Sequence, residues 1–154
     1  MKREWIISGC LVIVAAFASS NWVHAALGGS ADTITSDRKA LNAVHRATTP
    51  LTGYTVVEVV SDATTVREYI SPSGVVFGIA WNGYVRPDLM QLLGSYWGEY
   101  SAARQKAARG VGHTRQQLAT DNIVVENWGH MRNLQGRAYV PRLVPAGVCI
   151  DEIK

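Results

Sequence analysis

This sequence predicts an α+β domain: a single antiparallel sheet of about five strands with one long helix packed on one face. Three observations carry the prediction. Runs rich in Val, Ile and Tyr at residues 54–60, 64–71 and 75–81 are separated by short turn signals. An apolar stripe at helical spacing follows, and two more strand-like runs come after it. The order is a three-stranded meander, a long helix and a hairpin, preceded by a short N-terminal helix.

The elements follow in order. Ala26 to Ser30 is small and glycine-rich and reads as an extended lead-in. Ser36 caps a short helix expected from Asp37 to Arg46, with Ala40, Leu41 and Val44 on one side. Thr48 to Gly53, with Pro50 and Gly53, breaks it. Tyr54–Val60 and Thr64–Ser71 read as strands. Val75–Trp81, apolar on both faces, suits a central one. Ser71-Pro72-Ser73-Gly74 is a turn in which proline pre-sets the first bend and glycine accepts a positive φ. Leu89, Leu92, Leu93, Tyr96, Trp97, Tyr100 and Ala103 form the stripe of a helix from Pro87 to Arg109, with Asp88 at its positive end and Gly110 closing it. Gly94 and Gly98 inside it cost ~1 kcal/mol each relative to alanine, and kink or split it. Val111–Asp121 is polar and reads as loop. Asn122–Trp128 and Met131–Val140 form a hairpin turned at Gly129-His130, and the tail from Pro141 is irregular but packed.

The N-terminus sets the address. Lys2 and Arg3 precede an apolar stretch from Ile6 to Ser20, which is short for a span of ~20 residues. Val23-His24-Ala25 supplies the cleavage site. Residues 1–25 are therefore expected to be a signal peptide and residues 26–154 one exported domain, periplasmic or secreted, with no stable membrane span. Cleavage lowers the formal net charge from +3 to +2, and the remaining basic residues form no stripe, which argues against nucleic acid. Cys10 leaves with the signal. Cys149 then stands alone, so no intramolecular disulfide forms. Its apolar neighbours predict burial, with an intermolecular disulfide as the sharper alternative.

Several stretches carry a family resemblance. They are Ala25-Ala26-Leu27-Gly28-Gly29; the run Val66-Arg67-Glu68-Tyr69-Ile70 continuing through Ser71-Pro72-Ser73-Gly74 to Val75-Val76-Phe77; Pro87-Asp88-Leu89 through Leu92-Leu93-Gly94; Gly129-His130-Met131-Arg132; and Gly136-Arg137-Ala138-Tyr139-Val140-Pro141. On these the chain resembles the small exported bacterial proteins of the domain of unknown function 2844 family. The resemblance implies export and a single domain. It implies no activity and no catalytic residue.

Chemistry-bearing residues are sparse. His45, His113, His130 and Cys149 share no ligand spacing, so no metal and no cofactor is expected. Ser71 and Ser73 flank a turn proline rather than forming a nucleophile elbow. Glu58, Glu68 and Glu126 each follow a Val by two residues, which places them on the apolar faces of their strands. Two glutamates, Glu68 and Glu126, facing one cleft beside His130 would suit acid–base hydrolysis. Cross-strand charge pairs are the plainer reading. Trp81 and Trp128 are candidates for the wall of a ligand cleft, with Arg137 nearby. Gly94, Gly98 and Ala102, spaced by four, would form a smooth groove for a protein partner. The expectation is a non-catalytic binding or interaction module of the cell envelope, taking a small ligand or an envelope protein, with a small periplasmic hydrolase as the alternative.

Overall fold

The structure, a computed structural model, describes residues 27–30, 44–107 and 115–154. The expected signal peptide, most of the expected short helix and the expected helix end at Arg109 lie outside the described residues.

Seven strands form one antiparallel sheet: β1 (Val44–Leu51), β2 (Tyr54–Val60), β3 (Thr64–Ile70), β4 (Val76–Gly83), β5 (Arg115–Ala119), β6 (Val124–His130) and β7 (Asn133–Tyr139). Their spatial order is β1-β2-β3-β4-β7-β6-β5. β4, the strand expected to be central, is the middle one. The five expected strands are the five interior ones, and both additions are edges. Val44–Arg46 belong to β1 rather than to a helix, and Pro50 sits inside β1. An edge strand tolerates proline because its outward N–H has no ladder partner to lose. Arg115–Ala119 is a strand rather than loop. Its side chains are almost all exposed, as suits an edge.

The helical segment is split rather than continuous. Asp88 caps α1 (Leu89–Leu93), accepting from the Met90 amide at 2.9 Å. Gly94, at φ 50°, ends it in a 3-10 turn over Gly94–Tyr96, and α2 (Trp97–Lys106) follows. The hairpin turn also moves. His130 remains in β6 opposite Asn133, and Met131-Arg132 make the bend with Arg132 at φ 70°. Gly129, at φ 114°, is required there: a Cβ would lie 2.0 Å from the Asn133 carbonyl oxygen.

The sheet has two unlike faces. On one, α1, Tyr100 of α2 and the lead-in pack over Val57, Val59, Val66, Ile79, Trp81, Val125 and Ala138. Leu27 anchors the lead-in: its amide donates to the Leu92 carbonyl at 2.9 Å, and Gly28 and Gly29 pair with Val76. Each fully buried aliphatic side chain here contributes ~1.5–3 kcal/mol. On the other face the C-terminal tail crosses as a strap. Ile153 is fully buried there with Tyr54, Tyr69, Phe77 and Ala80. Gly78 makes room for it, since a Cβ would meet Ile153 Cδ1 at 3.0 Å. Cys149 is exposed, contrary to expectation. Ile153, four residues on, provides the strap's buried anchor instead. Among the described residues no helix is long and apolar enough to cross a membrane.

Candidate functional site

Register builds the strapped face. Glu58, Arg67, Ala80, Arg137 and Glu126 stand opposite one another across β2, β3, β4, β7 and β6. Arg67 Nε donates to Glu58 at 2.9 Å, and Arg137 Nε donates to Glu126 at 2.6 Å. The two pairs differ in burial. Arg67 and Glu58 remain partly exposed, whereas Arg137 and Glu126 are nearly withdrawn from water. Arg115 approaches Glu126 from the edge at 3.8 Å.

The strap is tied to this row. Arg137 Nη1 donates to the carbonyls of Ile150 at 2.8 Å and Ile153 at 3.3 Å. Tyr69 donates to the Lys154 carbonyl at 2.9 Å and accepts from the Lys154 amide at 3.0 Å. Tyr54 donates to Glu152 at 2.7 Å. Burial first, then the hydrogen bond to the Glu152 carboxylate, pushes the Tyr54 phenol up to about 12. Burial also raises Tyr69 and Tyr139, so all three phenols are held neutral.

Beside the strap lies a groove of ≈ 650 Å³, within the range of small-ligand sites. Glu58, Arg67, Tyr69, Asn82, Trp128 and Gln135 are among its lining residues, and Glu152 and Lys154 form the wall on the strap side. Arg137 covers one face of the Trp128 ring, 5.9 Å from its centroid.

The structure sorts the sequence candidates. Trp128 lines the groove, and Arg137 sits against its ring without lining the groove itself. Trp81 also borders the groove, but its side chain, 2 % exposed, packs into the core of the helix-covered face and offers it little surface. There it lies over Gly136, where a Cβ would come within 2.3 Å of it. Trp81 Nε1 and Asn127 Oδ1 are buried on that side without a hydrogen-bond partner among the described residues, at a cost of about 1–3 kcal/mol each. The glutamates also part. Glu68 lies between Val57 and Ile79 on the helix-covered face, 1 % exposed, while Glu126 lies on the strapped face. One sheet separates them, so they cannot share a cleft. His130 is exposed four residues beyond Glu126, ~13 Å along the strand. Gly94 lies in the helix break, while Gly98 and Ala102 are exposed on α2, so the three form no continuous stripe. Among the described residues no three His, Cys, Asp or Glu side chains gather as a metal site.

Tyr54, Tyr69, Asn82 and Gln135 also line the groove, beside Arg67, and no motif in the sequence marks them. The signal for Arg67 and Tyr69 is present: they alternate with Val66, Glu68 and Ile70 and so share a face. For Asn82 and Gln135 the cross-strand register is needed.

No curated protein and no solved structure matches the chain. A family model described as a protein of unknown function, DUF2844, matches residues 23–153. The chain therefore belongs to the DUF2844 family of proteins of unknown function.

Proposed function

We propose that this is an exported cell-envelope protein, periplasmic or secreted after cleavage near Ala25, that works as a non-catalytic binding module through its strapped face. The observation that carries this reading is the groove beside the strap, with an indole, phenols, amides and paired charges at one surface. Its polar groups are engaged structurally: each arginine of the central row is matched by a glutamate, and the tyrosines hold the strap. Such an arrangement holds a shape and offers contacts.

A thermal-shift panel of metals, sugars, cell-wall fragments, peptides and lipids tests the binding. A ligand at a hundred times its dissociation constant adds ~2.7 kcal/mol, on the order of 5–10 °C for a domain of this size. A shift of that size that disappears in Trp128→Ala supports the reading, and a shift that Trp128→Ala leaves intact contradicts it. Export is tested by fractionation and N-terminal sequencing: a mature chain starting at Ala26 is expected, and an uncleaved chain in the cytoplasm contradicts it.

A further inference from the structure

Next to the ion-pair row the strapped face carries a second polar row. Thr65, Asn82, Gln135 and Trp128 stand opposite one another across β3, β4, β7 and β6. Trp128 Nε1 donates to Gln135 Oε1 at 2.8 Å, and Gln135 Nε2 donates to Asn133 Oδ1 at 2.9 Å. Asn82 Nδ2 reaches the same oxygen at 3.5 Å. This relay fixes the indole edge and the amide planes. It uses one hydrogen of each amide NH₂ and leaves the other for a ligand. Asn82 and Asn133 are exposed, and Gln135 and Trp128 are half-buried.

The row does not stop at the groove. Asn82 also lines a second hollow of ≈ 250 Å³ at the strand ends, with Asp62, Thr65, Tyr84, Arg132 and Asn133. The Tyr84 ring there is 67 % exposed. Arg132, beside it, is the only non-glycine among the described residues with a positive φ. The result is a strip with Trp128 at one end, amides in the middle and Tyr84 at the other. The row from Thr65 on β3 to Trp128 on β6 spans three strand spacings, ~14 Å.

We propose that this strip binds a neutral glycan, a proposal that rests on reading the strapped face as the binding face. Sugar rings present apolar faces that stack on aromatic rings and equatorial hydroxyls that pair with amide groups. The strip supplies both in alternation. Its charges are mixed: Arg67 is paired with Glu58, and Asp62 shares the hollow with Arg132. The lining balances Arg67, Arg132 and Lys154 against Glu58, Asp62 and Glu152, so it presents no unbroken cationic track for an acidic polysaccharide or nucleic acid. A partner helix would need a run of apolar pockets, and the strip is mainly polar.

The test is a titration of the purified full chain with maltohexaose, cellohexaose, laminarihexaose, hexagalacturonic acid and a proline-rich peptide, read by tryptophan fluorescence and calorimetry. Saturable binding of a neutral hexasaccharide is expected, weakened about tenfold or more by Trp128→Ala and by Gln135→Ala. Tyr84→Ala, at an exposed ring away from the core, is expected to weaken it without lowering the melting temperature. Binding of hexagalacturonic acid or the peptide alone, lost in Trp128→Ala, overturns the neutral-glycan assignment and leaves the binding face standing. Hexasaccharide binding that survives both Trp128→Ala and Tyr84→Ala overturns the assignment and the face together. No binding by any probe overturns the glycan proposal, while a Trp128-dependent shift in the wider ligand panel would still uphold the face.

Discussion

The two faces of the sheet are built from the same strands and solve opposite problems. The helix-covered face is apolar, with Thr64, Glu68 and Asn127 as buried polar exceptions among the described residues, and is sealed by α1, Tyr100 and Leu27. The strapped face is crossed by charge pairs and amides and is only partly covered, by a tail held through hydrogen bonds as much as through Ile153. Alternation along each strand produces both. Val66, Glu68 and Ile70 face one way, and Arg67 and Tyr69 face the other. The first face stabilises the fold, and the second is left with groups available for contact.

The contrast can be broken most severely on the sealed side. Trp81→Ala removes a fully packed indole and is expected to cost about 4 kcal/mol in denaturant unfolding. On the strapped face the expected losses follow burial of the ion pairs. Glu126→Ala strands the buried Arg137 guanidinium and should cost about 3 kcal/mol. Glu58→Ala, in a partly exposed pair, should cost under ~1 kcal/mol. Equal effects at the two glutamates would remove the distinction drawn between the pairs.

Alkaline pH probes the strap specifically. The Tyr54 phenol ionises at 10.0 when unperturbed and at about 12 in the fold. Its contribution to stability is therefore complete below pH 10 and lost as pH rises from about 10 through 12. Thermal melts of the native chain should fall across that window more steeply than those of Tyr54→Phe, which has no phenol to ionise. The smallest effect is expected on α2. Gly98 is exposed and nothing lies within 4 Å of a Cβ there. Gly98→Ala should stabilise the chain by up to ~1 kcal/mol through helix propensity.

The sequence reveals the interior of this sheet and hides its rim. β2, β3, β4, β6 and β7 carry Val, Ile and aromatic residues because at least one of their faces is buried. β1 and β5 are edges. Ala47-Thr48-Thr49-Pro50 and Arg115-Gln116-Gln117 show no alternation because little of either is covered, so the polar pattern reads as loop. The helix break is legible in the two glycines, Gly94 and Gly98, and it falls at Gly94, whose positive φ ends α1. For the site, Trp128 and Arg137 were legible as residue types. Their union depended on register, which also separates Glu68 from Glu126: a shift of one residue would have put both carboxylates on one face. Asn82 and Gln135 look like ordinary surface amides until the strands are paired.

The most direct test of the central claim, that the strapped face is where this protein makes contact, is an amide-resolved NMR titration of the isotope-labelled chain with the three neutral hexasaccharides. Saturable shifts are expected at the Trp128 indole N–H, the side-chain amides of Asn82 and Gln135, and the backbone around Asn133, with α1 and Leu27 unmoved. Shifts confined to α1, α2 and the Leu27–Ser30 segment would place contact on the sealed face and contradict it.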